Sequence, residues 1–273
     1  WACSTAAGPA FEGATIEAGV GGTDGAIRSF RREGAAFSFE TIGGAEPVGV
    51  CGAGLLEVTA ALLDDGVVEP TGRMLAAGEL AAGEASGGAR NAGRAPGESA
   101  GGGGAGADAG THAAREDIAR AYEGCLCTGP RNEPAFVLAG PYLLTQKDVR
   151  EVQLAKAAIA AGIDTLLREA GITAAELDRV VMTGGFGQHL SVESAVRIGL
   201  LPALDPSRFE TVENGAGIGA LLALREEDAL ERMERFREDV SYIELSGHEF
   251  FGERYIEHMT FPESSGNAFA GGA

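Results

Sequence analysis

The stretch Thr145–Gly187, TQKDVREVQLAKAAIAAGIDTLLREAGITAAELDRVVMTGGFG, decides the fold class. Thr145 reads as a helix cap with Asp148 three residues on, the pattern in which cap and third residue satisfy each other's backbone N–H. Val152, Ile159, Ile163 and Leu166 then recur at spacings of 7, 4 and 3, which predicts one buried stripe on a helix running to Ala170. Gly171 stops it, and Thr173–Asp178 is a short turn. Val180-Val181-Met182 reads as a buried strand that ends on Thr183-Gly184-Gly185-Phe186-Gly187, and a helix capped by Ser191 follows, reaching Leu200. A strand ending in paired glycines and followed by a helix lets a ligand approach backbone without Cβ obstruction, near helix-terminal N–H groups. An ordinary tight turn explains the same residues equally well.

Working outward, Ala26–Phe30 and Phe37–Ile42 alternate as paired strands, with Arg31–Gly34 as the turn. Gly52-Ala53-Gly54 opens a helix whose apolar positions are Leu55, Val58, Leu62 and Leu63, and Gly66 stops it. Residues 76–111 are Ala/Gly-rich, with Gly101–Gly104 consecutive. They lack the apolar side chains that offset ordering entropy, so a flexible insertion is expected. Phe136-Val137-Leu138 predicts a strand, Thr211-Val212 a short strand, Asn214–Leu224 a small-residue helix and Arg225–Asp239 a solvated helix face. Tyr242–Leu245 and a helix over Glu249–Met259 close the domain at about 262, and 263–273 read as a tail. Four cysteines are too few and scattered for a disulfide scaffold, and Cys125-x-Cys127 has no metal-finger spacing, so no metal site is expected.

The 273 residues carry a formal net charge of −19, with mean hydropathy +0.03. That charge argues against a nucleic-acid binder and against docking on an anionic membrane. No apolar run approaches the roughly 18 residues of a span, and no targeting sequence opens the chain, so a cytoplasmic setting is expected. Trp1-Ala2-Cys3-Ser4 reads like the interior of a domain, and the chain is expected to be a fragment. An anionic small ligand stays open, because backbone N–H groups bind phosphate without net positive charge. Cys3–Gly13 has small and hydroxyl residues suited to that: Ser4 and Thr5 as donors, Gly8 for close approach, and Glu12 to orient a water. No Walker A sequence, Gly-x-Ser-x-Gly elbow or His-x-x-x-His pattern occurs.

Taken together, the Gly-rich loop, long helix, strand ending in Gly-Gly and small-residue helix resemble the ribonuclease H-like second lobe of the acetate/sugar kinase, heat-shock chaperone and actin (ASKHA) superfamily, an α/β fold. Ala2–Ala14, Thr145–Lys156, Gly184–Gly187, Arg197–Pro202, Tyr242–Ser246 and Phe261-Pro262 are similar to signatures of the reductive activators of corrinoid proteins. The resemblance implies the C-terminal ATPase part of a protein that returns Co(II) corrinoid to Co(I), using ATP and Mg²⁺. Its implied partner is a corrinoid protein of a methyltransferase system, and a homodimer is a candidate assembly. A [2Fe–2S] cluster is implied only in an upstream domain, and the first lobe is also missing here, so this part alone is expected to be inactive. By the same resemblance Ser4, Thr5 and Gly8 face the phosphates, Gly184, Gly185, Phe186, Gly187 and Gln188 line the adenosine side, and Glu12 is the catalytic candidate. Gln188-His189 departs from the Asn-aromatic pair expected after the glycines. A sugar or carboxylate kinase of the same fold and a non-catalytic docking module are the alternatives.

Overall fold

The protein, in a computed structural model, is described over residues 1–34, 36–82 and 117–263. The chain opens with β1 (Ala2–Cys3) and a loop ending in a single 3-10 turn (Ala10–Glu12). Next come β2 (Ala26–Glu33) and β3 (Ala36–Thr41), an antiparallel pair with Phe30 opposite Phe39, then β4 (Gly49–Val50), parallel to β2. Helix α1 (Gly52–Asp64) lies over β2 with Leu55, Leu56 and Leu62 fully buried. A short α2 (Ala77–Ala82) precedes the antiparallel meander β5 (Leu126–Thr128), β6 (Pro134–Ala139) and β7 (Tyr142–Thr145).

The long helix α3 (Gln146–Ala170) leads to β8 (Val180–Thr183), the single turn α4 (Gly184–Gly187) and α5 (Val192–Arg197). Strand β9 (Phe209–Val212) pairs parallel with β8. Helices α6 (Gly215–Arg225) and α7 (Ala229–Asp239), β10 (Tyr242–Ile243) and α8 (Glu249–Glu257) complete the mixed α/β fold. β10 returns to pair parallel with β1.

The core lies between the β2 and β6 sheets, α1 and the first half of α3. Phe30, Phe37, Tyr122 and Phe136 form its aromatic centre, with Phe37 4.9 Å from Tyr122 and 5.5 Å from Phe136 between ring centres. Edge-on geometry is what the ring quadrupoles favour. Leu144, Val149, Val152 and Ala155 join the same cluster.

Helix α3 begins and ends where its local signals put it. The Thr145 hydroxyl accepts from Asp148 N, the Asp148 carboxylate accepts from Thr145 N at 2.8 Å, and Gly171 takes the left-handed conformation at the far end. The Asp148 side chain also accepts from Glu17 N at 2.9 Å, although the residue is completely buried. Near its other end Asp164 accepts from Arg254 Nε at 2.7 Å and lies 2.8 Å from His258 Nε2, which ties α8 to α3. Burial alone would raise the Asp164 carboxyl; the hydrogen bonds and charges of His258 and Arg254 outweigh it and hold the group below its ordinary value.

Several expectations need correction. The Val152, Ile159, Ile163, Leu166 stripe is only half-buried beyond Val152; the fully buried face is rich in small residues, Ala155, Ala157, Ala161 and Gly162, because α3 is enclosed on more than one side. The reversal expected at Arg31–Gly34 is tighter, since β2 runs on through Glu33 and turns at Gly34. Val180-Val181-Met182 is not a buried strand: only Met182 is buried and Val181 is half-exposed, because among the described residues β8 has one strand partner and an open face. The helix expected over Ser191–Leu200 is six residues long. Strands β5 and β7 were not expected. Of the insertion 76–111, residues 77–82 are helical, held by Arg73 pairing with Glu79; residues 83–111, and 264–273 of the tail, lie outside the described residues.

Replacing Asp148 by alanine strips the Thr145 N–H, the Thr145 hydroxyl and the Glu17 N–H of their acceptor, so the unfolding free energy in urea should fall by about 2–4 kcal/mol; a loss below about 0.5 kcal/mol would remove Asp148 as an anchor. The depressed Asp164 carboxyl contributes stability that is present above its unfolded value of about 3.9 and lost as pH falls through its lower folded value. Asp164→Asn should therefore flatten the acid limb of the stability profile without steepening the alkaline one.

Candidate functional site

Three Gly-rich segments far apart in sequence meet at one place. The first is the loop after β1. Its Thr5 methyl sits so close to α3 that a Cβ on Gly162 would lie 2.4 Å from it, so a side chain at 162 would have to push the Thr5 methyl aside. Among the described residues nothing hydrogen-bonds the Ser4 or Thr5 hydroxyl. Ser4, Gly8 and Glu12 are exposed, and Gly8 has a φ of +71° with open space where a Cβ would stand. Glu12 closes the 3-10 turn, its N–H donating to Pro9 O at 3.1 Å.

The second segment is the start of α1. A Cβ on Gly52 would lie 2.3 Å from Phe11 O and 3.0 Å from Phe186 Cε2. The third is Thr183–Gln188. The Phe186 ring stacks on Phe11 at 5.0 Å between centres and 11° between planes, so the three backbones are locked together by one ring pair over one glycine. Gly184 (φ +85°) and Gly185 are exposed, with nothing within 4 Å of a built Cβ. Gly187 and Gln188 are half-buried; Gln188 N donates to Gly184 O at 3.0 Å, and Gln188 Nε2 lies 3.2 Å from His189 Nε2.

The small-residue helix joins through Thr183. Its hydroxyl donates to Val212 O at 2.8 Å and accepts from Gly215 N at 3.0 Å, tying the ends of β8 and β9 to the start of α6. Asn214, left-handed at φ 46°, caps α6 by accepting from Gly217 N.

The structure thus brings the neighbourhood of Glu12 and that of Gly184–Gln188 together through Phe11 and Phe186, and moors Thr5 to α3. The Phe11–Phe186 stack and the Thr183 bridge had no sequence signal: each joins residues with no shared periodicity. Open glycine backbone and unengaged hydroxyls on one rim suit a ligand rich in oxygen anions, while the exposed Glu12 carboxylate is an acceptor for water.

The family described as the C-terminal domain of RACo, the ASKHA domain, matches residues 1–88 and 132–271, which include every residue of the rim. The chain is 30% identical over 264 residues to the corrinoid activation enzyme RamQ of Eubacterium limosum, an alignment spanning 97% of this chain and 40% of RamQ. A solved structure, a reductive activator for corrinoid, iron–sulfur protein, superposes with a TM-score of 0.73 at 27% identity, over 96% of this chain and 36% of that one. The chain therefore spans about two fifths of the length of the curated relative it matches.

If the ring stack couples the two loops, a double-mutant cycle of Phe11→Ala and Phe186→Ala in urea denaturation should give a coupling of about 0.5–1.5 kcal/mol. Strict additivity would show that the rings only happen to lie side by side.

Proposed function

The chain belongs to the family of RACo C-terminal ASKHA domains, and on that premise we propose that it is the ATPase part of a larger reductive activator, one that returns Co(II) corrinoid protein to Co(I). The observation that carries this reading is the meeting of the Ser4–Gly13 loop, Gly52 and Gly184–Gln188 at the Phe11–Phe186 stack. ATP with Mg²⁺ supplies the free energy for an uphill one-electron transfer.

The residues present fit such a ligand. The Ser4 and Thr5 hydroxyls, with no partner among the described residues, donate to phosphate oxygens or to magnesium-bound water. Gly8 offers backbone without a side chain in the way. Gly184, Gly185 and Gly187, with the backbone of Phe186 and Gln188, take the adenosine and α-phosphate side, the Phe186 ring being held by Phe11. Glu12 accepts a hydrogen bond from the attacking water and so orients it. Phosphoryl transfer asks mainly for positioning and charge stabilisation, which backbone-rich loops provide.

In the whole protein the electron comes from a [2Fe–2S] cluster outside this chain, and the acceptor is a corrinoid protein of a methyltransferase system. The relatives' names, RamQ as a corrinoid activation enzyme and the solved reductive activator, support this choice of partner. The reading includes a cytoplasmic protein, a homodimer, and no reduction by this part alone.

The test uses the full-length protein. Gly185 has open space for a side chain, so Gly185→Val leaves the fold intact and blocks only what would approach the backbone. Nucleotide affinity should fall at least about a hundredfold, a loss of about 2.7 kcal/mol, and ATP-dependent Co(II) reduction, followed by corrinoid absorbance, should stop. Wild-type affinity in the variant would overturn the assignment of the rim.

A further inference from the structure

A second feature lies away from the rim, where α3 meets the segment after α8. Lys156 is 1% exposed. Its Nζ donates to Thr260 O at 2.5 Å and lies 5.3 Å from the centre of the Phe261 ring. An ammonium has three N–H bonds, and Thr260 O is the one hydrogen-bond acceptor it meets among the described residues. No carboxylate there forms an ion pair with it, and burial pushes its pKa down to about 8. A buried cation so sparsely paired is costly unless something else completes its shell.

Beside it is a cavity of about 270 Å³, and Lys156 is part of its wall. Ile163, Leu201, Pro202 and Phe261 give that wall an apolar character. Gly199, left-handed at φ +74°, lies against Pro262, where a Cβ would stand 2.9 Å from Pro262 Cγ, and within 4 Å of the ammonium. The titratable groups that share the cavity wall with Lys156 are Asp164 from its own helix, Glu257 at the end of α8 and His258 just beyond it. These are already matched among themselves: Arg254 pairs with both carboxylates, and His258 Nε2 meets Asp164. Segments 199–202 and 260–262 bring no titratable side chain.

We propose that this cavity binds a small organic carboxylate, its carboxylate on Lys156 and its hydrocarbon part against Ile163, Leu201 and Phe261. The apolar wall and the two nearby carboxylates select against a phosphate dianion, which needs several donors. The proposal stands independently of the nucleotide reading.

The probe is sodium butyrate, tested on the whole chain by thermal unfolding against sodium chloride of equal ionic strength. At about pH 7, at a few times its Kd, butyrate should raise Tm by about 2–4 °C. The rise should vanish at about pH 10, where Lys156, its pKa lowered by burial to about 8, is neutral, and in Lys156→Met. Should Lys156→Met fail to fold, Ala160→Ile decides the matter, because it keeps the ammonium and fills the cavity instead. The same rise with chloride, or a rise retained in Ala160→Ile, overturns the proposal. A larger rise with inorganic phosphate than with butyrate overturns the carboxylate class.

Discussion

One buried carboxylate fixes the frame. Asp148 accepts from Thr145 at the end of β7 and from Glu17 in the loop that follows the 3-10 turn. It therefore joins the meander, the first turn of α3 and the segment just after the candidate ligand loop in a single hydrogen-bonded knot. Burial raises its carboxyl above the ordinary value even though the Thr145 and Glu17 backbone N–H groups pull the other way. Everything on α3 is placed by where that helix begins. Gly162, fourteen residues on, lies about 21 Å along the axis, and its missing side chain is what lets Thr5 settle there.

The sites on either side of α3 differ in how firmly they are held. The Ser4–Gly13 loop rests on α3 and on the start of α1, both deep in the core. Gly184–Gly187 sits in the half of the chain that is least embedded. There β8 buries only Met182, α6 buries no residue, and α7 buries only Ala229. Leu224 is 85% exposed and Phe236 71%. Regions with few buried apolar contacts open at lower free energy than the core. The rim thus has a firm side and a yielding side, and the Phe11–Phe186 stack is where they meet.

What could be read in the sequence follows from how far each signal reaches. The ends of α3 were legible because a cap, a partner three residues on and a terminal glycine are local chemistry. The three Gly-rich units were legible as separate ligand-facing candidates for the same reason, and their joint pattern was legible as an ASKHA lobe. Their meeting at Phe11 and Phe186 was not, since nothing local tells two phenylalanines 175 positions apart that they will stack. Val180-Val181-Met182 misled because apolar composition says a strand can be buried, while burial depends on which elements cover both its faces. The stripe on α3 misled similarly: large apolar residues marked the half-buried flank, and alanines marked the place of closest packing.

The pairing of β1 with β10 brings residues 2–3 against 242–243. The strand that launches the ligand loop is thus completed by a segment synthesised about 240 residues later. At about 5–20 residues per second, the loop waits roughly ten to fifty seconds after its own synthesis for that partner. The aromatic core can condense meanwhile, because its members all lie between residues 30 and 136. Synthesis thereby imposes an order on the molecule: a nascent chain acquires its hydrophobic centre well before it acquires a finished ligand-facing edge.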